Sequence, residues 1–270
     1  MLPPGDRANL AGGYFIPTWT FPGVVSTGPV IFGGRDDGLT IWGRTMGGKL
    51  VYAGGAFNGH NRGAALSNDS DKFLYAGRLK YDLWDAEPNP AYYESTTYHG
   101  SANILSLGVS YQTQQEGVGT STAKGNYKAW SMDALFEPKM IAGSGVPTLE
   151  ANYYKYDLGA LDCNSGEPGA PVCVGGTDNF GGLVAGKAMM VSGAYLFPAQ
   201  VGWGKFQPFV RLQKFDRDVS NTERKATDLG VNYVINGHSA RITTQYTKLK
   251  DTRLAVQDQK QFYVGVQLLY

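Results

Sequence analysis

Large apolar residues recur at every second position along most of this chain. Between residues 72 and 83, Phe73, Tyr75, Gly77, Leu79, Tyr81 and Leu83 fall on one side of the alternation. Lys72, Ala76, Arg78, Lys80 and Asp82 fall on the other, with Leu74 the one large exception. Successive side chains of an extended strand point to opposite faces, so the segment predicts a strand with one apolar and one charged face. A helix of the same residues would scatter Arg78, Lys80 and Asp82 around its circumference.

The pattern returns over residues 105–112, 130–136, 148–153, 189–197, 206–213, 228–235, 240–246 and 261–270, with weaker strands over 37–46 and 49–58. That makes eleven predicted strands. Gly47-Gly48 and Asn236-Gly237 predict two-residue hairpins, which need positive φ. Turns at 140–145 and 198–204 are also short, whereas 59–71, 115–125, 158–186, 217–223 and 250–259 are longer and polar. One end of the sheet should carry turns and the other loops, with 85–101 a long exception on the turn side.

Two architectures show this alternation. A soluble sandwich buries the apolar face between sheets. Here the strands reach eleven or twelve residues, about twice the usual five or six. At about 3.3 Å per residue and a tilt near 45°, such a strand rises roughly 26 Å, the height of an outer-membrane barrel's apolar band. Aromatics gather near strand ends: Tyr81 and Trp84, Trp130 and Phe136, Tyr195 and Phe197, Trp203 and Phe206, and Tyr270. That suits girdles at a lipid interface. The expected fold is all-β, an antiparallel transmembrane β-barrel over residues 36–270. The rival is a soluble all-β binding domain, a sandwich with an aromatic ligand face.

Composition narrows the classes further. Charged residues make up 17%, against roughly 25% in an average soluble domain. Glycine, at 37 of 270 residues, is about twice its usual share of roughly 7%. The aromatic content, 13%, argues against disorder, and the glycines keep no collagen period. The net charge of +1 offers no field for nucleic acid. No apolar run approaches the roughly 18 residues of a membrane helix.

The final residues, Tyr263-Val264-Gly265-Val266-Gln267-Leu268-Leu269-Tyr270, resemble the C-terminal insertion signal of bacterial outer-membrane proteins, with Gly265, Leu268 and Tyr270 at its marked positions. Gly38-Leu39-Thr40-Ile41-Trp42-Gly43, followed by Gly48-Lys49-Leu50-Val51-Tyr52-Ala53-Gly54-Gly55-Ala56-Phe57-Asn58-Gly59, resembles the mid-barrel hairpin of the phosphate-selective porin O and P family. Phe73-Leu74-Tyr75-Ala76-Gly77-Arg78-Leu79 resembles that family's next strand. The resemblance implies a sixteen-stranded diffusion channel, usually a homotrimer, in the bilayer of the bacterial cell outer membrane. The family's phosphate-binding cationic ladder is not located here, so phosphate selectivity is not carried over. Eleven strands, and an opening Met1-Leu2-Pro3-Pro4 without a signal peptide, give the expectation of a barrel lacking five N-terminal strands.

The charged residues on the polar faces are the candidate pore lining: Arg44, Arg78, Lys80, Asp82, Asp133, Glu150, Arg211, Asp228 and Arg241. They stiffen the wall as ion pairs, set a transverse field for small hydrophilic or anionic solutes, or do both. Their near balance predicts weak selectivity with a modest lean to anions. Residues 1–35 form a loop in which Tyr14-Phe15-Ile16-Pro17-Thr18-Trp19-Thr20-Phe21-Pro22 is a candidate constriction. Cys163 and Cys173, the two cysteines, are expected to pair in an oxidising compartment. His60, His99 and His238 lie too far apart in sequence for a zinc motif. Asp36, Asp37, Asp69 and Asp71 near His60 imitate the acidic loops of outer-membrane proteases, but Gly-x-Ser-x-Gly and phosphate-loop motifs are missing. Neither catalysis nor a metal or cofactor is expected.

Overall fold

The period-two segments form strands in the computed structural model, which describes residues 37–59, 67–68, 71–87, 97–122, 124–141, 143–159, 179–180, 183–218, 221–237, 239–252 and 258–268. The expectations for residues 1–35, His60, His238, Cys163, Cys173 and Tyr270 lie outside these. The strands are β1 (Gly38–Thr45), β2 (Leu50–Phe57), β3 (Leu74–Asp82), β4 (Ile104–Gly119), β5 (Lys124–Glu137) and β6 (Val146–Asp157). After a two-residue ladder of β7 (Asn179–Phe180) with β8 (Leu183–Val184) come β9 (Gly186–Leu196), β10 (Lys205–Arg217), β11 (Glu223–Asn236), β12 (Ala240–Asp251) and β13 (Asp258–Leu268).

Apart from the β7–β8 ladder, the strands make one eleven-stranded sheet in chain order, every neighbouring pair antiparallel. The sheet is open: β1 and β13 do not pair with each other. Among the described residues no second large sheet packs against it. The β7–β8 ladder falls inside the expected long loop and has no counterpart in the sequence pattern.

Turn and loop ends segregate as the spacing predicts, with three adjustments. Between β11 and β12, Asn236 pairs with Ala240, so three residues separate the pair in place of the expected two-residue hairpin. The β1–β2 turn takes positive φ at Met46, Gly47 and Gly48, with values of 55°, 67° and 91°, so four residues separate the Thr45–Leu50 pair. Glycine carries such φ values without a Cβ penalty. The expected loop over 115–125 shortens, because β4 continues to Gly119 and β5 begins at Lys124. An irregularity between Gln114 and Val118 interrupts their ladder, which hides the continuation from any alternation test.

The two faces of the sheet differ sharply. Leu79, Leu107, Met132, Leu149, Leu212, Leu229 and Val264 all stand exposed on one face. Arg78, Lys80, Asp133, Arg211, Asp228 and Asn232 are buried on the other. Apolar residues also occupy part of the buried face. Phe57, Leu74, Tyr127, Tyr154, Ala188, Phe215 and Leu249 belong to one cluster that passes from strand to strand near the loop end. Leu74, the exception to the alternation, is a member of it. A smaller group, Val146, Leu196 and Val234 with Met140, lies near the turn end.

The sheet curls over its polar face. His99 sits between Tyr98 and Gly100, whose backbone N–H groups both donate to Glu137 at the end of β5, at 2.9 and 3.0 Å. Yet a Cβ placed on Gly237, at the end of β11, would lie 3.8 Å from His99 Nδ1. In a flat sheet β5 and β11 are four spacings apart, roughly 19 Å. Strong curvature brings them within side-chain reach.

Candidate functional site: a charged belt on the buried face

Register assembles the predicted ionic residues into adjacent rows. Asp82, Ser106, Leu135, Glu150, Ser192, Arg211, Asp228 and Thr247 stand opposite one another in succession from β3 to β12. The next row runs Arg44, Val51, Lys80, Gly108, Asp133 and Asn152. Directly opposed residues share a face, so both rows lie on the buried side. Arg44, on the edge strand β1, is on this face but exposed. Arg241 lies six residues nearer the turn end than Thr247 on β12, opposite Gln267, to which its Nη2 donates at 2.7 Å.

The charges are paired. Arg78 Nη1 lies 2.6 Å from Asp133 Oδ2 and donates to Ser110 Oγ at 2.9 Å. This pair crosses β4, because the residue beneath it is Gly108. A Cβ there would come within 2.5 Å of both Arg78 Nη2 and Asp133 Oδ2. Arg211 Nε donates to Asp228 at 2.7 Å, and Asp228 also accepts from Gln213, Gln245 and Thr247 at 3.0, 3.0 and 2.6 Å. Glu150 accepts from Ser192 Oγ at 3.4 Å. Lys80 reaches both Asp82, at 3.2 Å, and Glu87, at 3.0 Å. A buried ion held without partners costs several kcal/mol, so these contacts are what permit charge on this face.

Five further charged groups join the belt that the alternation did not single out. Arg217 grips Asp251 through two bonds of 3.0 Å, with Arg224 Nε 3.7 Å from the same carboxylate. Arg217 and Asp251 lie where loops were expected to begin. Extending the polar-face parity from Gln213 through Phe215 would have reached Arg217, but apolar Phe215 interrupts the signal. Glu137 follows Asp133 at the same parity and is likewise masked by Leu135. Glu87 carries no parity signal, since it belongs to the long link between β3 and β4.

That link explains its own length. Its described ends fold onto the buried face instead of turning back directly. Glu87 N donates to Asp82 at 2.9 Å, and the Tyr98 hydroxyl donates to Glu87 at 2.5 Å. Glu137 accepts from Tyr98 N and Gly100 N, and from Thr148 Oγ1 at 2.9 Å. Two buried carboxylates thus hold the link across the turn end of the belt.

At the loop end, ion pairs are exposed: Lys155 with Asp218, Lys214 with Asp216, Lys225 with Glu223 and Lys124 with Glu116. Lys72 donates to Asp71 at 2.8 Å, which holds the Asp71 carboxyl below its ordinary pKa. Among the described residues no group of three or more His, Cys, Asp and Glu side chains is arranged to hold a metal ion. Gly265 and Leu268, the described members of the C-terminal motif, sit on β13 with Leu268 exposed on the apolar face.

No family model, curated protein or solved structure matches the chain.

Proposed function

We propose that the chain forms wall of an antiparallel β-barrel in the outer membrane of a bacterium and passes small hydrophilic solutes by passive diffusion. The observation that carries the reading is the inversion of the two faces. Arg211 and Asp228 are 0% exposed, while Leu212 and Leu229, their chain neighbours, are 52% and 53% exposed. Water would penalise both arrangements, since apolar surface this extensive marks a binding or membrane face. Hydrocarbon outside and a polar lumen inside favour both.

Three further observations support it. Strands β4, β5, β6 and β9 to β13 run 11 to 16 residues, enough to cross at a barrel tilt. Aromatic pairs gather at the turn end: Trp84–Phe136, Tyr195–Phe197 and Phe206–Tyr233, with ring centroids 5.5, 5.2 and 5.1 Å apart. Rings at that depth suit an interfacial girdle. Finally, β1 and β13 run in the same direction, being first and eleventh in an antiparallel series. Antiparallel closure therefore takes an odd number of additional strands, and unpaired edges in lipid cost several kcal/mol per group. Sixteen strands satisfy this parity and accord with the porin O and P resemblance, which also implies a homotrimer.

Selectivity should be weak, because the belt's cations and anions neutralise one another in place. Arg44, exposed on the same face, gives a modest lean to anions. Planar bilayers test the reading: the full chain, refolded in detergent, should give stepwise conductance in potassium chloride and a small anion-directed reversal potential in a salt gradient. A monomer stable in plain buffer without detergent, and silent in bilayers, would overturn it in favour of a soluble binding domain.

A further inference from the structure

On β11, β12 and β13 the apolar face of the sheet ends in lysines. Reading toward the loop end, the outward positions carry Tyr246 opposite Phe262, then Lys248 opposite Lys260, then Lys250 between Lys225 and Asp258. All four lysines are exposed. Toward the turn end, the outward positions of these strands hold no charge among the described residues. Thr244 stands opposite Val264 there, and Ile242 opposite Val266. The lysines therefore border the apolar band on one side only.

The arrangement carries an internal cost. Lysine faces lysine across strands at three places, Lys214–Lys225, Lys225–Lys250 and Lys248–Lys260, and like charges directly opposite each other destabilise a sheet. The nearby carboxylates relieve only part of this. Glu223 lies 2.8 Å from Lys225 and 3.9 Å from Lys214, whose nearer partner is Asp216 at 2.8 Å. Lys248, Lys250 and Lys260 form no ion pair among the described residues, even though Asp258 stands opposite Lys250. The four lysines thus exceed Glu223 and Asp258 in charge, and the surface calls for an anion.

An anion in solution would meet the ammonium groups alone. An anionic lipid meets both parts of the surface. Its phosphate reaches the ammonium groups, and its chains lie against the row of Tyr246 and Phe262, about 7 Å away along the strands. Lysine suits such a border, because its stem lies along hydrocarbon while its ammonium stays among the headgroups. The ammonium also binds phosphate as a point charge, without demanding one orientation of a mobile headgroup.

We infer that Lys225, Lys248, Lys250 and Lys260 form a docking surface for the phosphate headgroups of anionic lipid in the leaflet at the loop end. The inference rests on the membrane reading and adds to it a lipid partner and the side on which that partner sits.

Electron paramagnetic resonance tests it on the full chain refolded into phosphatidylcholine vesicles. Spin-labelled phosphatidylglycerol or spin-labelled phosphatidylcholine is added in trace, and the motionally restricted fraction reads lipid held at the protein surface. Phosphatidylglycerol should be favoured about twofold to threefold, from a preference of about fivefold at these lysines averaged with neutral contacts elsewhere. Lys248→Gln combined with Lys260→Gln should bring the two lipids near parity. Both side chains are exposed, so this double variant should fold as the parent does. Lys49→Gln with Lys139→Gln removes the same charge from the turn end and should leave the preference unchanged. Equal restriction of the two lipids in the parent, or equal losses from the two double variants, would overturn the docking surface and leave the membrane wall standing. A preference abolished by inorganic phosphate at constant ionic strength would also overturn it, by assigning the lysines to a free anion. No restricted component from either label would overturn the membrane reading and the docking surface with it.

Discussion

Ion pairs of like chemistry occur in two settings on this sheet. Arg211–Asp228 and Arg78–Asp133 lie on the curled face with side chains at most 5% exposed. Lys155–Asp218 and Lys214–Asp216 stand at the loop end with side chains 25% to 46% exposed. The buried pairs recruit extra donors. Asp228 takes three besides Arg211, and each is supplied by a strand residue fixed in register. The exposed pairs have little beyond each other, and Lys214 divides itself between Asp216 and the more distant Glu223, 3.9 Å away. Away from water a charge has to be held from several sides; near it, solvent does the holding.

This contrast gives a graded set of expectations. Removing the acceptor at the centre, Asp228→Ala, leaves Arg211 buried without its counter-ion and should cost about 3–5 kcal/mol. Urea titration of the refolded chain, followed by tryptophan fluorescence, measures the loss. A cost similar to that of a rim substitution would break the distinction. Gly108→Ala tests the belt sterically: its Cβ separates Arg78 from Asp133, and the same assay should show a loss of about 2–3 kcal/mol. Glu137→Gln keeps the shape but removes the charge that holds the β3–β4 link. Stability should fall by about 1–2 kcal/mol, and the Tyr98 and Gly100 amides should exchange with solvent faster. Lys155→Ala, at the rim, should change stability by about 0.5 kcal/mol or less, and that small effect should vanish in 1 M salt.

Strand identity and facing were readable in the sequence because one backbone rule governs them. Every second residue shares a face, so Arg78, Lys80 and Asp82 had to lie together. What the alternation could not convey was which residues meet across strands. The Arg78–Asp133 pair depends on Gly108 supplying a gap, and a glycine in a strand is silent about its neighbours until the register is known. Strand ends were lost where the alternation lapsed. Glu116, with φ of 53°, marks the irregularity behind which β4 continues, and Phe215 hid Arg217.

The gap at Gly108 also bears on the order in which the wall comes together. Arg211 and Asp228 are seventeen residues apart on consecutive strands joined by a single connection, so their contact can form as soon as one hairpin closes. Arg78 and Asp133 lie on strands separated by β4, and they meet only once two successive connections, one of them the long β3–β4 link, have been closed. Each closure carries its own entropic cost before any contact repays it. The first pair therefore depends on one local closure, and the second registers that three strands have docked in the correct alignment.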